Sequence, residues 1–441
     1  MKKTFFLVAI LTSAIFAAEL SVLNTETGEF KLGKKPYPKG TREKWIDAGR
    51  ALSAAPELTF STMKTSSGYA DNSAGLPPVG SQKNGDCVHW AGTYAVKTYY
   101  MKKKNPAMDI TITSGQASPK FTYNLSNAGE DAGGWGHEPF EIFMRYGCPN
   151  FSQLPDSTDV YSLPDIDDFV EGLHRRTLDY VWAWDWSPSS TEIEQLKLHL
   201  DNGGVASVAV YANSSFNSWG AGDSPWVGSS CGYYDLNHMI CVCGYGPGWY
   251  KIMNSWGTGW GSNGFIIVDA DYFENYFGDC MFPIEGSYST VTNYTILQIQ
   301  HGRRSDIQSM ILEVNGTENW NFAPTPKDFP KGTGSYYEDT RNDLDIAIDL
   351  TFASWNYTND NVILRVKDSV SGYSGTVNSF ILKKNIKTFL STDTPEAVPD
   401  NNGQSASVSI ASVPEPCSIF SIILCLMVFC SRQHTRGTHS R

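Results

Sequence analysis

The stretch Asn254-Ser255-Trp256-Gly257-Thr258-Gly259-Trp260-Gly261-Ser262-Asn263-Gly264-Phe265 decides how this chain is read. It follows the apolar run Trp249-Tyr250-Lys251-Ile252-Met253, and before that lies Asn237-His238-Met239-Ile240-Cys241-Val242-Cys243-Gly244-Tyr245-Gly246. The periodicity predicts a β-hairpin with its turn at Gly246–Gly248. His238 begins one strand and Asn254 ends the next, so antiparallel pairing brings the two side by side. Farther out, Gly80-Ser81-Gln82-Lys83-Asn84-Gly85-Asp86-Cys87-Val88-His89-Trp90 precedes a helix predicted over 91–101. Cys87 therefore stands where a glycine-containing loop turns into a helix N-terminus. The positive end of the helix dipole lowers a thiol pKa there. A cysteine, a histidine and an amide supply a nucleophile, a base and an orienter. His89 lies two positions beyond Cys87, about 200° away around a helix, and reads as structural.

At these residues the chain resembles the papain-like cysteine peptidases, with recognisable similarity over 76–289. The resemblance implies an α+β fold with a papain-like two-lobed catalytic domain, one lobe helical and one a β-barrel. It implies that Cys87 is the nucleophile, His238 its ion-paired base, and Asn254 the group that orients the imidazole under Trp256. The Gln82 amide and the Cys87 N–H would form the oxyanion hole. The Gln82–Cys87 spacing is one residue shorter than usual, and Val88 stands where the family has a tryptophan. In Gly133-Gly134-Trp135-Gly136, the resemblance implies that Gly134 pairs with the backbone of an extended substrate. Ala209, on a strand predicted over 204–211, would line the second specificity pocket with Met239 and Gly136 and favour an apolar P2 side chain. A helix is expected over 191–201. The resemblance also implies a Cys231–Cys280 disulfide, which an exported protein can keep. Cys241 and Cys243 read as buried thiols. No metal or other cofactor is implied, and no Cys-x-x-Cys pair occurs.

The flanks differ in texture. Residues 1–18 read as a signal peptide: Lys2 and Lys3, an apolar core, then Ala17 and Ala18. Residues 19–75 are a polar arm or an inhibitory propeptide, with one helix expected over 41–55. From 290 to 390 short alternating runs separated by Gly, Asn and Asp turns read as an all-β, jelly-roll-like sandwich. Two pieces of it, 301–307 and 362–382, resemble the P domain of secreted peptidases. Asp306 and Asp368 there read as solvated turn residues or as calcium contacts. Residues 391–412 read as a Ser/Asn/Pro/Asp-rich linker. In 413–441, Val413-Pro414-Glu415-Pro416, a short apolar run and a basic end resemble the PEP-CTERM sorting signal of Gram-negative bacteria. That resemblance implies transient or stable inner-membrane attachment, an exosortase-type sorting enzyme as partner, and delivery to the cell envelope or beyond it.

Composition agrees with a folded exported protein. Over 441 residues, 41% are hydrophobic and the net charge is −12. That balance argues against a nucleic-acid partner, since phosphate backbones need a basic face. The leading reading is an exported cysteine endopeptidase that acts on proteins or peptides as a monomer, through a thioester. Two rivals stand beside it: a catalytically impaired homologue that serves as a surface binding protein, and a thioester-using peptide ligase or transferase.

Overall fold

The computed structural model describes residues 30–37, 40–42, 67–286, 290–303, 306–322, 343–351, 360–400 and 404–411. The expected signal peptide, the sorting tail and most of the helix expected over 41–55 lie outside these residues. Among the described residues no helix is long and apolar enough to cross a membrane.

Cys87–His89, Trp90–Lys97 and Thr98–Lys104 run on as one helix, α1, with a π-helical middle. Such stretches recur at functional sites. Pro119–Ser126 (α2) starts at a Ser118 cap with Pro at its first position, where no N–H is needed. Glu138–Tyr146 (α3) stops at Gly147, whose φ of 68° suits glycine. Ile166–Leu173 (α4) and Ser190–Asp201 (α5) both begin with capping boxes, Asp165/Asp168 and Ser189/Glu192. These boxes explain why the sequence pattern located α5 to within a residue. Ser214–Asn217 (α6) and Ala270–Tyr276 (α7) are short.

The β lobe is one antiparallel sheet of Ala70–Asp71 (β1), Asp179–Trp184 (β2), Ala206–Val210 (β3), His238–Gly246 (β4), Trp249–Met253 (β5), Phe265–Asp269 (β6) and Gly278–Ile284 (β7). Its order is β2-β7-β3-β4-β5-β6, with β1 on β4. Strands β3 and β4 are buried throughout, so they read as continuous apolar runs rather than alternating ones. The start of α1 packs against β4: Cys87, Val88 and Ala91 cluster with Met239. Lys97, wholly buried, ties the helix to the end of β7 through Glu285 at 2.7 Å and Thr177 at 2.8 Å. A buried charge needs such a partner.

Beyond it lie two further antiparallel sheets. One runs Thr317–Phe322 (β10), Ile307–Val314 (β9), Val362–Asp368 (β12), Ala406–Ile410 (β16). The other runs Asp343–Asp349 (β11), Asn293–His301 (β8), Gly375–Lys384 (β13), Lys387–Leu390 (β14), with Glu396–Val398 (β15) also on β13. Their inward residues, among them Leu297, Leu312, Leu364, Phe380, Val398 and Val408, belong to one apolar core. The expected linker over 391–412 is corrected here. Ala406, Val408 and Ile410 alternate with serines, and that period-two pattern places β16 beside β12 with Val408 opposite Leu364. Asp306 and Asp368 are buried rather than solvated. Arg303 Nε donates to Asp306 at 3.0 Å, and Asp368 lies 3.4 Å from the His301 ring. The sheets join the catalytic lobes through α4, which packs on β11, and through the Arg176–Asp349 ion pair.

Candidate active site

Asp86 caps α1 through its backbone: its carbonyl accepts from His89 N–H at 2.9 Å and Trp90 N–H at 3.0 Å. Cys87 is thus the first helical residue, wholly buried, with its thiol against the Met239 and Gly33 backbones. On β4 the next residue back is His238. Its Nε2 lies 2.8 Å from Asn254 Oδ1. The same Oδ1 accepts the Ser255 N–H at 2.8 Å, which fixes the amide with its oxygen toward the imidazole. The histidine therefore carries its proton on Nε2, and Nδ1 is left as the basic nitrogen. Nδ1 is buried and has no hydrogen-bond partner among the described residues. The Trp256 indole stacks on the imidazole at 4.6 Å, with Phe216 and Trp260 behind it. The hairpin pairs Cys241 with Met253, which carries His238 and Asn254 to the same end.

Gln82 is held on both sides of its amide. Its Oε1 accepts from Ser255 Oγ at 2.7 Å, and its N–H donates to the Ser255 carbonyl at 2.9 Å. Its Nε2 donates to Asn84 O at 2.9 Å and to Lys31 O at 3.3 Å. The short loop is thus tied to the residue after Asn254.

Residues 30–37 fill the cleft. The Gly134 N–H donates to Gly33 O at 2.7 Å, Lys35 N–H to Gly134 O at 2.8 Å, and Lys34 N–H to Asn237 O at 3.1 Å. Phe30 stacks on Trp256 at 4.3 Å, nearly parallel. Tyr37 tucks against Trp182 and bonds His137 at 2.7 Å. Arg42 reaches the carbonyls of Trp182 and Ala183. The Lys34 ammonium is buried 2.6 Å from a buried Asp279 carboxylate. A side chain on Gly134 would meet Glu138 and His89 within 3 Å, so the pairing edge has to be glycine.

Burial sets the electrostatics. Burial pushes the Cys87 thiol up to about 12, against the hydrogen bonds from Met239 and Gly33 that favour the thiolate. Burial lowers His238 to about 4, and the Asn254 bond only partly offsets it. The expected ion pair is therefore a neutral thiol and a neutral imidazole while the arm is in place. Desolvation outweighs the helix end.

Two other expectations change. Cys231 and Cys280 are free thiols, not a disulfide. Cys280 points into the β-lobe core, whereas Cys231 is half-buried at the surface beside Tyr272. The pocket expected to be apolar does gather Gly136 against Met239, with Ala209 paired to Met239 and to Gly278. Beside it, however, Lys34 is held by Asp279, the residue after Gly278, which the sequence reading passed over. The run of four lysines among residues 31–39 was the signal for the arm. Glu138 and Ser255 were also missed as supports of the cleft. His89 is structural, with Nδ1 3.0 Å from Thr122 Oγ1. Among the described residues no cluster of His, Cys, Asp and Glu is able to hold a metal ion.

Residues 131–290 match the family model described as papain family cysteine protease. This stretch is similar to that family. The match includes His238, Asn254 and Trp256 and begins after Cys87. Gamete and mating-type specific protein A of Dictyostelium discoideum is 27% identical over 190 residues, covering 42% of this chain and 38% of that protein. Cysteine proteinase 2 of Entamoeba histolytica is 27% identical over 188 residues, covering 41% of this chain and 56% of that protein. The chain thus spans about half the length of these relatives. Among solved structures, xylellain, a cysteine protease from Xylella fastidiosa, aligns at 17% identity and a TM-score of 0.43, covering 58% of this chain and 96% of that one.

Proposed function

We propose that this chain is a papain-type cysteine endopeptidase, made latent by its own N-terminal arm. The observation that carries the reading is the His238–Asn254 bond of 2.8 Å under Trp256, with Cys87 at the helix start beside Met239. With the cleft open, His238 Nδ1 takes the thiol proton and Cys87 Sγ attacks a peptide carbonyl carbon. The oxyanion faces the Gln82 amide and the Cys87 N–H. His238 then returns the proton to the leaving amine as the C–N bond breaks, which leaves a thioester. Water, deprotonated by the same imidazole, hydrolyses it and restores the thiol.

The arm's direction supports latency. A substrate's P2 residue pairs with Gly134 and precedes the scissile carbonyl in sequence, while the leaving side follows toward Trp256. In the arm, Lys34 and Lys35 at Gly134 come after Gly33, and Phe30 on Trp256 comes before it. The arm runs backward, so it fills the cleft without presenting a bond for attack.

The same reading places the protein outside the inner membrane, on the strength of residues 1–18 and the PEP-CTERM-like tail, with exosortase-type processing and a monomeric enzyme. The two C-terminal sheets are read as a P-domain-like sandwich. The test is incubation of the full chain with a broad peptidyl epoxide, with adducts located by mass spectrometry, for wild type, Cys87→Ala and His238→Ala. A Cys87 adduct that depends on His238 supports an activated pair. Complete failure to label, even after the arm is displaced, refutes the peptidase reading and favours a binding protein.

A further inference from the structure

We propose that the cleft selects a basic side chain, Lys or Arg, at the substrate position that pairs with Gly134, and that Asp279 makes the selection. The proposal rests on the peptidase reading above and gives it a substrate class.

The arm supplies the template. Lys34 bridges to Gly134 and donates its N–H to Asn237 O, so its backbone lies where a P2 residue would. Its side chain runs to β7, where its ammonium meets the Asp279 carboxylate at 2.6 Å, one residue past Gly278, the strand partner of Ala209. Both side chains are wholly shielded from solvent. The ring of Tyr233, which stays when the arm leaves, stands 5.0 Å from the same ammonium; that of Tyr37, at 5.6 Å, belongs to the arm. Cation–π contacts of that kind favour a cation over an apolar group of equal length. The other arm lysines differ: Lys31 is a third exposed beside Asp131, and Lys35 lies over Trp135.

Asp279 is built into the wall. It sits at the register shift where β7 crosses β3, with φ of 45°, a left-handed conformation that aspartate tolerates better than most residues. Its N–H donates to Asp185 O at 2.8 Å, and a side chain on the preceding Gly278 would strike that same carbonyl. The strand pairing thus fixes the backbone that carries the carboxylate, which is wholly shielded from solvent. An apolar side chain in the pocket leaves it buried and unpaired, which is the costly half of a broken ion pair. A lysine or arginine restores the partner that Lys34 provides. The pocket depends on where the side chain enters and not on backbone direction, so a forward substrate meets the same carboxylate as the backward arm.

The experiment uses the full chain carrying Gly33→Ala, which drives the arm from the cleft, and peptides that differ only at P2: Lys, Arg, Leu or Phe. Cleavage is read as kcat/KM at pH 7.5, and Cys87 labelling by P2-Lys and P2-Leu epoxides is read in parallel. The expected result is a preference of tenfold or more for Lys and Arg over Leu, reversed by Asp279→Leu and reduced by the milder Asp279→Asn. Cys87-dependent cleavage that favours Leu or Phe in the Gly33→Ala chain overturns the proposal and leaves the peptidase reading standing. Absence of both cleavage and Cys87 labelling overturns the peptidase reading and this proposal together.

Discussion

Replacing Gly33 with alanine is the sharpest perturbation of the shut state. A Cβ built on Gly33 would lie 1.5 Å from the Gly85 carbonyl oxygen, half of the closest approach real Cβ atoms tolerate. Backbone is on both sides of that clash, so no side-chain rotation relieves it. The arm has to lift, and lifting it breaks the three backbone bonds of Gly33, Lys34 and Lys35 to Gly134 and Asn237. At about 1 kcal/mol net for each, the loss is about 3 kcal/mol. That is on the order of a hundredfold in the fraction of open molecules. The assay is the time course of Cys87 alkylation by iodoacetamide at pH 7, read by mass spectrometry on folded full-length protein. A thiol near pKa 12 is thiolate in only about one molecule in 10⁵ at that pH, so the wild-type rate reports rare opening. The rate is expected to rise about a hundredfold in Gly33→Ala. Equal rates within about threefold, with unchanged thermal unfolding, would refute the reasoning.

Gln82→Ala is expected to lower kcat by roughly 10²–10³, the usual effect of losing one oxyanion donor, with little change in KM; a loss confined to KM would place Gln82 in substrate binding instead. The P2-Lys over P2-Leu preference is expected to climb as pH rises above about 6. Burial raises the Asp279 carboxyl to about 6 even beside Lys34, with Asp185 and Tyr233 the other titratable groups facing it. Below that pH the carboxyl is neutral and favours no cation; a ratio flat from pH 5 to 8 would sink the assignment. Val408→Asp is expected to cost several kcal/mol in thermal or denaturant unfolding, because Val408 is fully buried in β16. A neutral effect there would restore the linker reading of 391–412.

The parts of the fold legible in sequence were those with a local cause. The hairpin from His238 to Met253 follows from a buried apolar run and a Gly-Pro-Gly turn, and α5 follows from its capping box. Cys87 was legible because a helix start is a local event. The shift of its thiol to about 12 was not, because it comes from burial, which only the assembled fold produces. Asp279 was hidden for a similar reason. In Gly-Asp-Cys it reads as a turn aspartate, and only the crossing of β3 and β7 turns it into a pocket wall. The disulfide failed because two cysteines at family-like positions lie in different surroundings, one in a core and one at the surface. Strand β16 escaped notice because serines on its outer face give it the composition of a spacer.

The backward course of residues 30–37 also sets how the protein would switch on. A segment that offers no bond to its own Cys87 cannot be cut by the molecule that carries it. Each molecule must wait for its arm to lift, or for an already open neighbour to sever the chain elsewhere. Activation then feeds on its own product: a lag, an acceleration, and a half-time that shortens as the protein is concentrated. Dilute, such a protein stays silent, and once crowded it wakes as a population.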